Sequence, residues 1–280
     1  MRTFKCVEYF QNSRRRPFLL VLFVAVLSQL LHPVFAQDRT DSTRTEHAYM
    51  FSTGAANILD TYLSAEKYKG PEFRYTTITT RNTRWQNIRQ TILNEGLFDA
   101  VSNRADNNDE LGGMYRFQYY LRRQWTLSHG LVIEAGGGIG GHVGFLYNTR
   151  NSNNPAQAYA ALQLLPSAAA CQWAYVFKWP VRFHYEISIP LLGVMFSPNY
   201  GQSYYEIFSR GNYDHNIVPT MIAATPSLRH MLTTDIPLSK RKSATMLRIG
   251  YLGDYQQAHV NKLKQHQYAH LFVLGIIMTK

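Results

Sequence analysis

Residues 131–148 read LVIEAGGGIGGHVGFLYN, and two kinds of side chain alternate along this stretch. The odd positions, from Leu131 to Tyr147, are apolar or glycine, whereas the even positions include Glu134, His142 and four glycines. A period of two is typical of a β-strand, because successive side chains of a strand point to opposite faces. The stretch therefore predicts a long strand with one apolar face and one face that is small or ionisable.

The preceding residues show the same alternation and predict a hairpin. The turn Ser128-His129-Gly130 can join residues 111–128 to this strand. The tight turn sets a register in which Gln124 lies opposite Glu134, so that the polar faces of the two strands coincide.

A second hairpin is predicted further along the chain, with its turn at Lys178-Trp179-Pro180. The register that we derive from this turn places Gln172 opposite Glu186 and keeps Trp173 on the apolar face. Again, apolar side chains meet apolar side chains across the hairpin.

Strands of this length, with aromatic residues on one face and Arg, Glu and His on the other, are typical of a transmembrane β-barrel that has lipid outside and a polar lumen. The alternative is a soluble, lipocalin-like barrel whose apolar face points inward. The length of the faces favours the membrane barrel. So does the polar side, which carries Gly, Ala and Tyr more than the Lys and Glu of a solvent-facing surface.

The predicted fold is all-β, an antiparallel transmembrane β-barrel of about ten strands, within a range of eight to twelve. The stretch from Arg84 to Ala100 could equally be helical. Connections after the even-numbered strands are short, whereas those after the odd-numbered strands are longer, which places the former in the periplasm and the latter outside the cell. The predicted strands are 48–58, 70–82, 84–101, 111–128, 130–148, 157–178, 180–196, 218–237, 243–256 and 265–279.

Three tryptophans support this orientation. Trp85, Trp125 and Trp179 all lie beside short turns, as expected of an aromatic belt at one membrane interface. Ordinary hydrophobic packing is the alternative.

The first 36 residues are predicted to be a cleaved signal peptide. Lys5 and Arg14-Arg15-Arg16 form a basic segment, Phe18 to Leu31 an apolar segment, and Val34-Phe35-Ala36 a cleavage site of small residues. An uncleaved membrane anchor is the alternative, although the apolar run is short for a spanning helix. The remaining chain, residues 37–280, is predicted to form one barrel domain.

Composition narrows the class of protein. The 280 residues are 45% hydrophobic and 17% charged, which excludes disorder. Cys6 and Cys171 are the two cysteines, so no disulfide framework is expected. Without residues 1–36, the chain carries 24 basic and 17 acidic residues, a net charge of about +7. Nucleic acid is not an expected partner of an exported chain, whereas outer-membrane lipid and lipopolysaccharide are.

Four stretches of the chain carry a resemblance to known proteins: Gly54 to Arg74, Asn148 to Ala158, Phe196 to Phe208, and Arg248 to the C-terminus. In these stretches the sequence resembles the small outer-membrane β-barrel proteins of the Bacteroidota, in particular a family of unknown function. The resemblance implies an outer-membrane location in a Gram-negative bacterium and the barrel fold, but no activity. The last strand ends Ile-Ile-Met-Thr-Lys, without the terminal aromatic residue that such barrels usually present.

One set of polar residues is predicted to lie in the lumen. A proton relay or a solute path is possible in principle, but a barrel of about ten strands is close to the size that side chains fill. A structural salt-bridge network is therefore favoured, without free diffusion. The set comprises Arg116, Arg122, Glu134, His142, Arg182, His184, Glu186, Arg229 and Arg248.

The glycines of residues 136–141 formally match a dinucleotide-binding motif. That motif requires a strand that leads into a helix N-terminus, and here it lies inside a predicted strand. We interpret the glycines as space for large lumenal side chains.

Two predicted extracellular loops carry candidate binding residues. Tyrosine rings beside amides can stack on a glycan or contact a protein partner. The alternative is that these loops fold over the barrel mouth and are held there by their own side chains. The residues are Asn151, Asn153, Asn154, Tyr200, Tyr204 and Tyr205.

Catalysis has one candidate, the pair Asp214-His215, because a carboxylate beside a histidine suits acid–base work. No serine or second acid is recognisably placed to complete a mechanism, so the chain is not expected to be an enzyme. His259, His266 and His270 lack the spacing of metal ligands, and neither a metal nor a cofactor is expected. The sequence favours a binding, accessory or structural role at the cell surface. The alternatives are a hydrolase of lipid or peptide at the barrel rim, and a narrow specific transporter.

Overall fold

A computed structural model describes residues 32–33, 44–152, 154–238 and 245–280. Apart from His32 and Pro33, the predicted signal peptide lies outside the described residues. No helix in the described part of the chain is both long and apolar enough to cross a membrane.

Ten strands close into an antiparallel barrel, which confirms the predicted fold class. They follow one another around the wall in the order β2 to β7, then β8, β11, β12 and β13, which pairs with β2. A two-residue strand and a short hairpin are additional. The strands are β1 His32–Pro33, β2 Thr45–Asp60, β3 Tyr68–Asn82, β4 Ile88–Asn103, β5 Asp109–Thr126, β6 Val132–Asn148, β7 Ala156–Val176, β8 Trp179–Ser188, β9 Leu192–Phe196, β10 Ile217–Met221, β11 Leu228–Pro237, β12 Thr245–Val260 and β13 Leu263–Thr279.

The seventh and eighth predicted strands are each broken in two. β8 pairs with the second half of β7 and β9 with the first half, and Pro190 lies at the break. Likewise, Pro226 lies between β10 and β11. A proline has no backbone N–H to donate to the ladder, so it interrupts a strand at this point. The stretch from Arg84 to Ala100 is not helical, since residues 88–100 form most of strand β4.

The two predicted hairpins have different outcomes. In the first, Gln124 lies opposite Glu134, as predicted. In the second, Gln172 lies opposite Phe183, so the predicted register is wrong. The turn consists of Phe177 and Lys178, both with positive φ, and is therefore earlier than the predicted turn. The observed register differs from the predicted one by three residues. Because three is an odd number, side chains predicted on the outer face point inward, and Trp173 packs inside the barrel.

The strand ends form two rims. Thr45 and Lys280 lie at the rim that we call the terminal rim, where their backbones are hydrogen-bonded. Trp85, Trp125 and Trp179 also belong to this rim, next to its connections. The opposite rim, the loop rim, includes residues 61–67, 104–108, 149–152, 154–155 and 197–216. The connection between β12 and β13 was predicted to be one of the longer ones, but it is a two-residue turn at residues 261–262. It is short because β12 and β13 both extend further than predicted.

The apolar faces of the strands point outward. Phe51, Phe73 and Phe145 each expose half or more of their surface on the outside of the barrel. The polar faces point inward, where Arg74, Glu95 and their neighbours are buried. The lipocalin-like alternative is therefore wrong, since it requires the opposite arrangement.

The lumen is filled, but it is not polar throughout. On one side, apolar residues of β2, β12 and β13 also face inward and form a buried cluster. They do so because β13 is apolar on both faces: Leu271 and Val273 point inward, whereas Phe272 and Leu274 point outward.

Candidate functional site

A central cluster of six charged side chains crosses the middle of the lumen. Glu95 accepts hydrogen bonds from Arg229 at 2.7 Å and 3.1 Å, from Arg116 at 2.9 Å and from Arg74 at 3.1 Å. Asp254 accepts from Arg116 at 2.8 Å and also from Arg74. With Glu72, which binds Arg74, the cluster has three cations and three anions and is balanced in charge.

A lower cluster of eight charged side chains fills the half of the lumen towards the terminal rim. Asp235 binds Arg182 at 2.9 Å and Arg248 at 2.7 Å. Arg182 also binds Glu46 at 2.7 Å. The remaining pairs are Arg89 with Glu134 and Glu46, and Arg122 with Glu186. Four cations and four anions again balance.

The structure places all nine residues of the predicted lumenal set on the inner face of the wall. Seven of them belong to the two clusters, whereas His142 lines a cavity beside the central cluster and His184 lines one beside the lower cluster. The acids that bind most of the arginines were missed: Glu95, Asp235 and Asp254 were not predicted. Their signal was present, because each of them alternates with outward-facing residues along its strand.

An outer chamber lies above the central cluster, in the half of the lumen towards the loop rim. It has an empty volume of about 670 Å³, which includes the part open to solvent. Its walls are mostly apolar, and its polar residues include glutamines, His142, Tyr159 and Asp99.

Three buried acids in the half of the lumen towards the loop rim lack arginine partners among the described residues, unlike the acids of the lower cluster. No ion pair joins Asp60, Asp99 or Glu110 to a basic side chain among the residues that the structure describes. Asp60 accepts a hydrogen bond from Tyr159 at 2.7 Å, and Glu110 accepts one from Asn148 at 3.0 Å. Asp99 Oδ1 and Glu110 Oε2 are buried without any hydrogen-bond partner in the described part of the chain.

The long loop at residues 197–216 folds over the barrel mouth. Its helix, α1 (Tyr204–Phe208), begins with a capping box in which the Ser203 N–H donates to Glu206 at 2.7 Å. This hydrogen bond lowers the pKa of Glu206. The Tyr204 hydroxyl donates to Gln157 Oε1 at 2.8 Å and accepts from the Ala158 N–H at 2.7 Å. Burial raises the pKa of Tyr204, so the hydroxyl stays protonated and remains able to donate.

The predicted loop residues therefore differ in their surroundings. Tyr204 and Asn151 hold the loops in place, Asn151 by donating to the Leu63 carbonyl at 3.2 Å. Asn154 hydrogen-bonds through its backbone to Asn151. Tyr200 and Tyr205 are exposed by 73% and 62%. Asn153 lies outside the described residues.

Removal of the Tyr204 hydroxyl should loosen this loop. In Tyr204→Phe, two hydrogen bonds are lost, which amounts to about 1–3 kcal/mol. We expect trypsin to cleave after the exposed Arg210 at least about fivefold faster. Tyr200→Phe is the matched control, since this ring is exposed and should leave the cleavage rate unchanged. Equal rates for both variants would show that Tyr204 does not hold the loop.

The pair Asp214–His215 is close but isolated. His215 Nδ1 lies 2.6 Å from Asp214 Oδ1, and the side chains are exposed by 79% and 74%. In the described residues, neither side chain has a hydroxyl or a second acid as a hydrogen-bond partner. Similarly, the described residues contain no group of three His, Cys, Asp or Glu that could hold a metal ion.

Comparison with known proteins gives a family and a fold. The sequence profile described as "Protein of unknown function (DUF3316)" matches residues 19–279. No curated protein matches the chain.

The similar solved structures are barrels of low sequence identity. The translocator domain of the autotransporter NalP from Neisseria meningitidis has 8% identity and a TM-score of 0.38, over 93% of this chain and 97% of that chain. The β domain of the Bordetella autotransporter BrkA has 11% identity and a TM-score of 0.41, over 84% and 98%. The COG4313 outer membrane channel from Pseudomonas putida F1 has 7% identity and a TM-score of 0.36, over 85% and 95%.

Proposed function

We propose the following function for this chain, which belongs to the DUF3316 family of proteins of unknown function: it is an outer-membrane barrel, closed to free diffusion, that binds a small ligand in its outer chamber. The observation that carries the proposal is the position of the chamber above two layers of ion pairs.

A location in the outer membrane of a Gram-negative bacterium is supported by the outer surface of the barrel. Aromatic and aliphatic side chains are exposed on β2 to β7 and on β13, where a soluble protein would carry charges. Lipid tails would cover this surface, and the tryptophans of the terminal rim would lie at the inner interface. The loop rim would then face the outside of the cell, beside lipopolysaccharide.

Closure of the lumen follows from the ion pairs. Arg74, Arg116 and Arg229 extend from different strands and meet around Glu95 and Asp254. Each of these side chains is almost completely buried. A solute would have to break several charge-assisted hydrogen bonds at once, which is costly in a poorly hydrated site. We therefore favour a binding protein over a transporter.

Binding in the chamber is supported by its lining and its cover. Most of the wall surface is apolar, and polar side chains such as glutamines lie among the apolar ones, a combination that small-molecule sites use for affinity and orientation. The loop over the mouth is held by specific hydrogen bonds from Tyr204 and from Asn261, whose side chain donates to the His215 carbonyl at 2.9 Å. The exposed Asp214–His215 pair offers no comparable enclosure for a substrate, so we propose no enzymatic activity.

Conductance in planar bilayers tests the closure. The wild-type barrel should show no stepwise conductance in molar KCl, because the central cluster fills the lumen. A charge-balanced variant that removes four cluster side chains should conduct in discrete steps, while Arg74 and Glu72 keep each other as partners. The substitutions are Glu95→Ala, Arg116→Ala, Arg229→Ala and Asp254→Ala.

Steady conductance of the wild type would overturn the closed-barrel proposal. A folded variant that remains silent would show that another part of the lumen forms the seal. Heat-dependent mobility on gels identifies the folded barrel in both cases.

A further inference from the structure

We infer that the outer chamber selects an organic cation, a small ammonium compound with an apolar body. This inference rests on the proposed function, because it specifies the ligand of the same chamber. It is carried by the contrast between the apolar walls and one unpaired carboxylate oxygen that they enclose.

The walls would receive the apolar body of such a ligand. Ile58, Leu97, Met114 and Leu146 line the chamber, and they come from four different strands. Apolar surface of this kind is stabilised by about 25 cal/mol for each Å² that a ligand removes from water. A purely hydrated metal ion would gain nothing from these side chains.

Asp99 supplies the charge. Its side chain lines the chamber and is 2% exposed, yet Oδ1 has no hydrogen-bond partner among the described residues. Buried carboxylate oxygens are normally satisfied, and an unsatisfied one is costly. An ammonium group of a ligand would provide both a donor and a compensating charge.

The neighbours of Asp99 do not provide this compensation. Glu72 lies directly opposite on β3, and the Gln267 amide donates to both carboxylates, at 3.2 Å and 3.3 Å. Arg74 is already bound to three acids of the central cluster. No lysine or arginine is among the described residues that line the chamber.

The charge balance of the lumen points the same way. The central and lower clusters each pair equal numbers of cations and anions. The outer half adds Asp60, Asp99 and Glu110 without any basic partner in the described part of the chain. In their ionised forms these acids attract cations and disfavour anions, and the low dielectric of the enclosed space strengthens this effect.

Gly112 leaves the space that the Asp99 carboxylate occupies in the chamber wall. Gly112 lies opposite Asp99 on β5, and a Cβ atom there would collide with both carboxylate oxygens. Gly112→Ala therefore displaces the Asp99 carboxylate but leaves the charge of the chamber unchanged.

The test compares two probes of the same shape, benzylammonium and benzyl alcohol, by isothermal titration of the barrel in lipid nanodiscs. Empty nanodiscs supply the blank. Wild-type protein should bind benzylammonium at least about tenfold more tightly than benzyl alcohol. Asp99→Asn should remove this preference, and Gly112→Ala should weaken it at unchanged net charge. Asp109→Asn is the matched control, since this acid lies exposed on the outside of the same rim and should keep the preference.

The possible outcomes separate the inference from the proposed function. Equal affinity for the two probes, or a preference that survives Asp99→Asn, overturns the cation inference and leaves a ligand chamber in place. If neither probe binds, the cation inference is also overturned. The closure of the lumen is then tested only by the conductance measurement. Steady conductance of the wild type overturns the closed barrel, whatever the probes do.

Discussion

Glu95→Gln is expected to lower the free energy of unfolding by about 3–5 kcal/mol, the usual cost of breaking a buried ion pair from one side. Glu95 is 1% exposed and accepts hydrogen bonds from three arginines. The amide keeps the shape of the side chain but removes its charge. Arg74, Arg116 and Arg229 then share only Glu72 and Asp254, so one buried cation is left uncompensated.

Urea titration in detergent, followed by gel mobility and circular dichroism, measures this loss. Asp214→Asn serves as the control, because Asp214 is exposed and pairs only with His215. An exposed pair of this kind contributes at most about 1 kcal/mol. A comparably small effect of Glu95→Gln would mean that water enters the central cluster and screens its charges.

Gly138→Ala should be strongly destabilising, whereas Gly137→Ala should not. Gly138 faces the lumen, and a Cβ atom there would collide with the Tyr119 carbonyl and come within 2.8 Å of the Tyr120 ring. Backbone cannot yield as a flexible side chain does, so we expect a loss of about 1–3 kcal/mol or more. At Gly137, which faces outward, the nearest atom to a Cβ is the Leu165 carbonyl oxygen at 3.6 Å, an ordinary contact.

Both glycine variants are measured by the same urea titration. The neighbouring positions share one strand and one substitution, so any difference between them reflects the face to which the new methyl group points. Equal stability of the two variants would contradict the close approach of β5 to the inner face of β6. It would also remove the explanation of residues 136–141 as space for lumenal side chains.

The positions of the strands could be derived from the sequence with few errors. All ten predicted strands overlap strands of the barrel, because faces that contact lipid and lumen impose a period of two over many residues. Errors occur where a single residue decides the geometry. Phe177 and Lys178 form the turn with positive φ, and the predicted turn one residue later moves Gln172 and Trp173 to the wrong faces. Pro190 and Pro226 break strands that the alternation alone would continue.

The charged residues show a second difference between what the sequence predicts and what the structure contains. Arg116, Arg229 and Arg248 could be assigned to the lumen from their strand positions. Which acid each arginine binds could not be derived, because partners such as Arg74 and Asp254 are separated by 180 residues along the chain. Alternation indicates which side chains share a face, but it does not state which strands lie across the lumen from one another.

The class of fold, the approximate strands and the polar or apolar character of each face could be derived from the amino-acid order alone, since they depend on neighbouring residues and on the alternation of side chains. The pairing of each arginine with its acids, and the enclosure of Asp99 without a cation among the described residues, became visible only in the folded barrel. These properties depend on closure of the barrel, which brings distant strands together around one lumen and removes their side chains from water. The free energy of a buried charge depends on all of those neighbours at once.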